Sequence, residues 1–125
     1  MTAQKRVLIV DDDLDHHAIL RVLLGHHGFA TIHAATLADA RAVLAAEHVD
    51  LVILDIRLHR EHGLDLLYSL PFEGPNVPVL VCTSDALARL RYPAAVNAAA
   101  GWLVKPVVFG ELIELVESII GPSSA

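Results

Sequence analysis

A single cysteine among 125 residues excludes an internal disulfide. Cys82 lies within an apolar run, where it reads as a small packed hydrophobe in a reducing compartment. No hydrophobic stretch approaches the roughly 20 residues that a membrane span requires. The opening Met1-Thr2-Ala3-Gln4-Lys5-Arg6 leads into a short strand pattern without the apolar core of a signal peptide. A soluble, cytoplasmic domain is expected. Basic residues are outnumbered, 9 Lys and Arg against 15 Asp and Glu, for a net charge of −6. Phosphate backbones require clustered Lys and Arg, so nucleic-acid binding by this domain alone is not expected. The length suits one domain that buries its own core.

What the chain does have is aspartate at the ends of apolar runs. Asp11-Asp12-Asp13 follows Val7-Leu8-Ile9-Val10, and Asp55 ends the run Leu51-Val52-Ile53-Leu54. Further short runs are Thr31-Ile32-His33-Ala34, Val79-Leu80-Val81-Cys82 and Trp102-Leu103-Val104. Each is too short for a helix, so five strands are predicted. Helical spacing falls between them. Leu112, Leu115, Val116, Ile119 and Ile120 mark one buried face, and Leu37, Ala40 and Leu44 mark another more briefly; Leu14, Ala18, Val22 and Leu23 mark a further helix, stopped at Gly28. Thr36 with Asp39 predicts an N-cap. Pro93 should shorten or kink a helix between residues 86 and 99.

Strands alternating with helices, with nearly all-apolar interiors, predict an α/β fold: a doubly wound, flavodoxin-like five-stranded parallel sheet with helices on both faces. In the order 2-1-3-4-5 the ligand crevice lies at the carboxyl ends of strands one and three, where Asp11, Asp12 and Asp55 would meet. Two carboxylates about 5 Å apart repel by roughly 3 kcal/mol at an effective dielectric near 20, so the cluster invites a cation or a raised pKa. Thr83 and Lys105 end the fourth and fifth strands and bring a hydroxyl and an ammonium to the same edge. That set suits a phosphoryl group and a divalent metal.

With these residues placed, the chain resembles the receiver domain of two-component response regulators. The matching motifs are Val10-Asp11-Asp12, Asp55 with Gly63 eight residues on, Pro78 through Thr83-Ser84, and Gly101-Trp102-Leu103-Val104-Lys105-Pro106. The resemblance implies that Asp55 accepts a phosphoryl group from a sensor histidine kinase or a histidine phosphotransfer protein, becoming an aspartyl phosphate. It implies Mg²⁺ held by Asp12, Asp55 and the backbone carbonyl of Arg57, with Asp11 on a metal-bound water. Thr83 and Lys105 would contact phosphoryl oxygens, and the peptide bond before Pro106 would be cis. Thr83 and Trp102 would be the switch pair, with Trp102 standing where tyrosine or phenylalanine is usual. Ser84 would leave the phosphoryl group room. Arg57 and Asp85 occupy positions that tune access of hydrolytic water, and their opposite charges suggest an ion pair arching over the phosphate that slows its loss. Apart from catalysing its own phosphorylation and dephosphorylation, such a domain is not an enzyme. The alternative is a phosphorylation-independent pseudo-receiver on the same fold.

Some residues depart from the pattern. His59 and His62 replace the usual proline and aspartate and should loosen the loop after Asp55. The last helix follows Val107-Val108-Phe109-Gly110 without a capping side chain, and carries Glu111, Glu114 and Glu117 with no Lys or Arg from Val107 onward. It therefore lacks the basic half of a reciprocal acid-base dimer. Asp13 is expected to cap the first helix. The eight histidines include the pairs His16-His17, His26-His27 and His59/His62, none at a ligating spacing with a third partner; solvated surface histidines are expected. Residues 1–121 are assigned to the receiver domain and 122–125 to a tail or the start of a linker. Neither the kinase nor the output partner is named by the residues.

Overall fold

The computed structural model describes residues 4–123, so the first three residues of the expected N-terminal lead and Ser124 and Ala125 of the expected tail lie outside the described residues. Thirteen elements follow in order: β1 (Arg6–Val10), α1 (Leu14–His26), β2 (Ala30–Ala34), α2 (Leu37–Ala46), β3 (Leu51–Asp55), a short hairpin β4 (Arg57–Leu58) and β5 (Glu61–His62), α3 (Leu64–Glu73), β6 (Val79–Thr83), α4 (Ala88–Arg91), α5 (Pro93–Ala98), β7 (Gly101–Val104) and α6 (Phe109–Ile120). The main sheet is parallel in the order β2-β1-β3-β6-β7. This is the expected 2-1-3-4-5 topology once the hairpin strands are set aside.

Alternation along each strand sends side chains to two apolar layers. Val7, Ile9, Ile53, Leu80 and Leu103 pack with α1 and α6 through Leu20, Leu24, Leu112 and Val116. Leu8, Val10, Val52, Leu54 and Val81 pack with α2, α3 and the α4–α5 segment through Ala40, Leu44, Leu67, Leu70, Ala88 and Ala95. Cys82 is buried in the first layer, as its apolar run implies.

The helix ends follow local chemistry. Asp13 caps α1 by accepting from the amides of Asp15 and His16, and Thr36 caps α2 by accepting from Asp39. Gly28, at φ 87°, turns the chain out of α1 while the Phe29 amide donates back to the Leu24 carbonyl. Pro93 splits the fourth connection into two short helices hinged at Tyr92, and α6 begins with no side-chain cap. Both were expected.

Two features were not. α3, buried through Leu64, Leu66, Leu67 and Leu70, had no counterpart among the predicted helices. In α1 the residues that marked the helix are not the ones it buries: Leu14 and Val22 are each 67% exposed, whereas Leu20 and Leu24 are buried. Apolar residues occur on most sides of α1, so periodicity alone does not pick a face. The sheet takes the row His16, Leu20, Leu24, spaced by four.

Candidate phosphoryl and metal site

Register alone aligns the candidate residues. Val10 pairs with Leu54, so Asp11 and Asp55 leave β1 and β3 side by side. Asp55 pairs with Cys82 and Thr83 with Val104, so Thr83 and then Lys105 step along the same edge. Asp11, Asp55 and Thr83 are the buried polar side chains among the described residues. One carboxylate oxygen from each of Asp11, Asp12 and Asp55 lies within 4.8 Å of the others. Lys105 Nζ stands 2.8 Å from Asp55 Oδ2 and 3.8 Å from Asp11 Oδ2. The Lys105–Pro106 bond is cis, as the resemblance implied.

The electrostatics match the crowding. Burial pushes the Asp55 carboxyl above its usual range, with the Asp11 charge adding to the push, and the Lys105 bond offsets only part of it. Burial opposes the Lys105 charge, but its bond to Asp55 and the attraction of both acids outweigh that and hold it above the usual lysine value. Asp11 goes the other way. Burial raises it, yet hydrogen bonds from His16 and the Asp13 amide, with the Lys105 charge, leave it below the ordinary carboxylate value. An all-oxygen cluster holding three acids against one ammonium can hold a hard divalent cation.

The other expected residues surround this core. The Thr83 hydroxyl accepts from the Asp85 amide at 3.1 Å, and the Arg57 amide donates to Asp55 Oδ1 at 3.0 Å. Ser84 is exposed and shares a polar crevice with Arg57, Asp85, Arg91 and Tyr92. The expected Arg57–Asp85 ion pair is absent among the described residues: Asp85 Oδ2 pairs at 2.8 Å with Arg91 Nε. The break at Pro93 makes α4 a single turn, and that turn brings Arg91 back to the loop that begins it. Trp102 is half-buried against the α4–α5 side of the core, its Nε1 buried without a hydrogen-bond partner among the described residues.

The loop after Asp55, which carries His59 and His62, is paired backbone to backbone. It closes as the β4–β5 hairpin, Arg57 opposite His62 and Leu58 opposite Glu61. Glu61 accepts from the Leu37 amide at the start of α2, and His62 Nε2 meets the Tyr92 hydroxyl at 3.3 Å. Gly63 follows, its amide 2.6 Å from the Ile56 carbonyl; a Cβ there would lie 2.0 Å from the Asp55 carbonyl oxygen. Only glycine lets the chain pass this close to the backbone of Asp55.

The histidines require a correction. His16, His17 and His33 are not solvated surface side chains. His16 Nδ1 hydrogen-bonds Asp11 Oδ2, and His33 Nε2 donates to the Asp11 carbonyl at 2.7 Å while stacking on His17, centroids 3.8 Å apart. The available signal was positional, since His16 shares the inward row of Leu20 and Leu24.

Among known proteins, the response regulator receiver domain family matches residues 7–117. Response regulator protein PilR of Pseudomonas aeruginosa is 34% identical over 118 residues, 94% of this chain and 26% of its own length. Transcriptional regulatory protein ZraR of Salmonella typhimurium is 31% identical over 114 residues, 91% of this chain and again 26% of its own. The chain thus spans about a quarter of the length of these relatives. Among solved structures, a CheY-like response regulator receiver domain protein from Methanospirillum hungatei superposes with a TM-score of 0.81 at 28% identity, covering 93% of each chain. The response regulator TrrA of Thermotoga maritima, solved with Mg²⁺-BeF, gives 0.80 at 26%, covering 92% of this chain and 98% of that one. On these matches, and on the sheet order and acidic edge that underlie them, the chain belongs to the response regulator receiver domain family.

Proposed function

We propose that the domain is a Mg²⁺-dependent phosphoacceptor whose aspartyl phosphate sets the state of its partner-binding face. The observation that carries this reading is the Asp55 carboxylate, buried at the sheet edge between Asp11 and Lys105, with Asp12 and Thr83 beside it. An Asp55 oxygen attacks the phosphorus of a donor phosphohistidine; the new O–P bond forms as the P–N bond breaks, and the imidazole leaves with the electron pair. Lys105, already within hydrogen-bond reach of Asp55, can follow the incoming charge onto a phosphoryl oxygen, and the Thr83 hydroxyl can donate to another. When bound, Mg²⁺ neutralises the acidic cluster and the entering phosphoryl oxygens; Asp12, Asp55 and the Arg57 carbonyl would hold it, with Asp11 on one of its waters. TrrA, solved with Mg²⁺ and the phosphoryl mimic beryllofluoride, supports this assignment.

A sensor histidine kinase or histidine phosphotransfer protein is the donor in this reading. The partner-binding face would pass the state of Asp55 to an output partner that these residues do not name. The domain turns over no other substrate, and it works in the cytoplasm; no helix among the described residues is long and apolar enough to cross a membrane. Acetyl phosphate with Mg²⁺ should add one acid-stable, base-labile phosphate to the wild type and none to Asp55→Asn. Equal labelling of that variant would refute the assignment.

A further inference from the structure

Resting on the metal-dependent reading above, we propose that His16 is a positioning residue for the cation: its imidazole N–H fixes the Asp11 carboxylate in the orientation that serves the metal. Asp11 is held at three atoms. The Asp13 amide donates to Oδ1 at 2.9 Å, His16 Nδ1 engages Oδ2, and His33 Nε2 donates to the main-chain carbonyl at 2.7 Å. An ionised carboxylate only accepts, so the proton of this contact sits on Nδ1 of His16. The ring makes no other polar contact among the described residues, since Nε2 is buried without a partner.

That orphan nitrogen separates a positioning role from mere packing. The inward row of α1 is filled at its next two places by Leu20 and Leu24, buried in the apolar layer. A third leucine at position 16 would leave no unpaired nitrogen. Histidine gains one thing over leucine here, the bond to Asp11 Oδ2. The same oxygen lies 3.8 Å from Lys105 Nζ. Without His16 the carboxylate is free to turn toward that ammonium, away from the space shared with Asp12 and Asp55. Outer-shell hydrogen bonds at a metal site typically contribute about 10- to 100-fold in metal affinity, and His16 acts in that outer shell, on the carboxylate that holds a metal-bound water.

The test is Mg²⁺ binding by isothermal titration calorimetry on the full chain, comparing wild type, His16→Leu, His16→Asn and Asp12→Asn, with thermal melts on each. His16→Leu should weaken Mg²⁺ binding about tenfold or more. His16→Asn, whose amide nitrogen stands near the place of Nδ1, should bind within about threefold of wild type. Unchanged affinity in His16→Leu would overturn the proposal. So would equal losses in both His16 variants with unaltered melts, because the N–H would then not be the cause. If His16→Leu does not fold, His16→Ala carries the same expectations. Full binding by the His16 variants alongside its loss in Asp12→Asn refutes this proposal alone. A wild type that takes up no Mg²⁺ overturns the metal-dependent reading together with it.

Discussion

Gly63→Ala tests whether the site depends on backbone proximity as well as on its charged groups. The added methyl would sit 2.0 Å from the Asp55 carbonyl oxygen, 3.0 Å from its carbonyl carbon and 3.1 Å from Ile56 Cα. Ordinary contact begins near 3.4 Å, and all three neighbours are main-chain atoms that no rotamer change can move. Relief therefore requires the start of α3 to shift away from the end of β3 by more than an ångström, stretching the Gly63 to Ile56 hydrogen bond. Overpacking of this kind costs about 1–3 kcal/mol when side chains yield, and a backbone clash belongs at the top of that range. With a urea m-value of about 2 kcal/mol/M, a cost of about 3 kcal/mol lowers the unfolding midpoint by about 1.5 M. Displaced Asp55 should also slow labelling by acetyl phosphate at saturating Mg²⁺, in molecules that remain folded. Urea titration and a labelling time course read the two effects separately. An unchanged midpoint and an unchanged labelling rate would refute the close-approach argument.

Gly25→Ala should act in the opposite sense: it lies inside α1 with nothing within 4 Å of an added Cβ, so the chain gains about 0.5–1 kcal/mol of stability, visible as a higher midpoint. Asp55→Asn should be more stable than wild type at neutral pH, because burial raises the Asp55 folded-state pKa above its unfolded value. Ionised Asp55 therefore lowers stability above that folded pKa, and the difference vanishes once pH falls below the unfolded value; parallel melts from about pH 7 to pH 3.5 that show a constant gap would contradict it. Burial pushes the Cys82 thiol up to about 12, so a thiol-specific disulfide reagent at pH 8 should leave the native chain unmodified and react fully in urea. Prompt labelling of the folded chain would place Cys82 at the surface. Beryllofluoride and Mg²⁺ should produce no acid-base dimer through α6, which carries Glu111, Glu114 and Glu117 without a basic partner on the same helix; a tight dimer through that face in sedimentation would show otherwise.

Strand-ending residues were legible in the chain because a parallel sheet buried on both faces needs short apolar runs, and four functional residues sit one step beyond such a run. Asp11, Asp55, Thr83 and Lys105 follow from that rule with the predicted strand order, whereas Gly63 and Pro106 came only with the family resemblance. Helix caps at Asp13 and Thr36 and the break at Pro93 were legible as well, being decided within a few residues of chain. The buried face of α1 was not. Its apolar residues cover too much of the helix for period to choose, and contact with β1 and β3 selected Leu20 and Leu24, with His16 one turn earlier in the same row. The same choice carried His16 to Asp11, and β1–β2 pairing, which sets Ile9 beside His33, brought His33 to the Asp11 carbonyl. Arg57 and Asp85 carried opposite charges at plausible positions, but the single turn of α4 returned Arg91 to Asp85 first. Sequence determined which groups reach the sheet edge, because strand length and order are set by local pattern and burial. Which neighbours hold those groups was decided by tertiary structure, since charge and hydrogen-bonding partners compete by distance in three dimensions and that distance is not written in spacing along the chain.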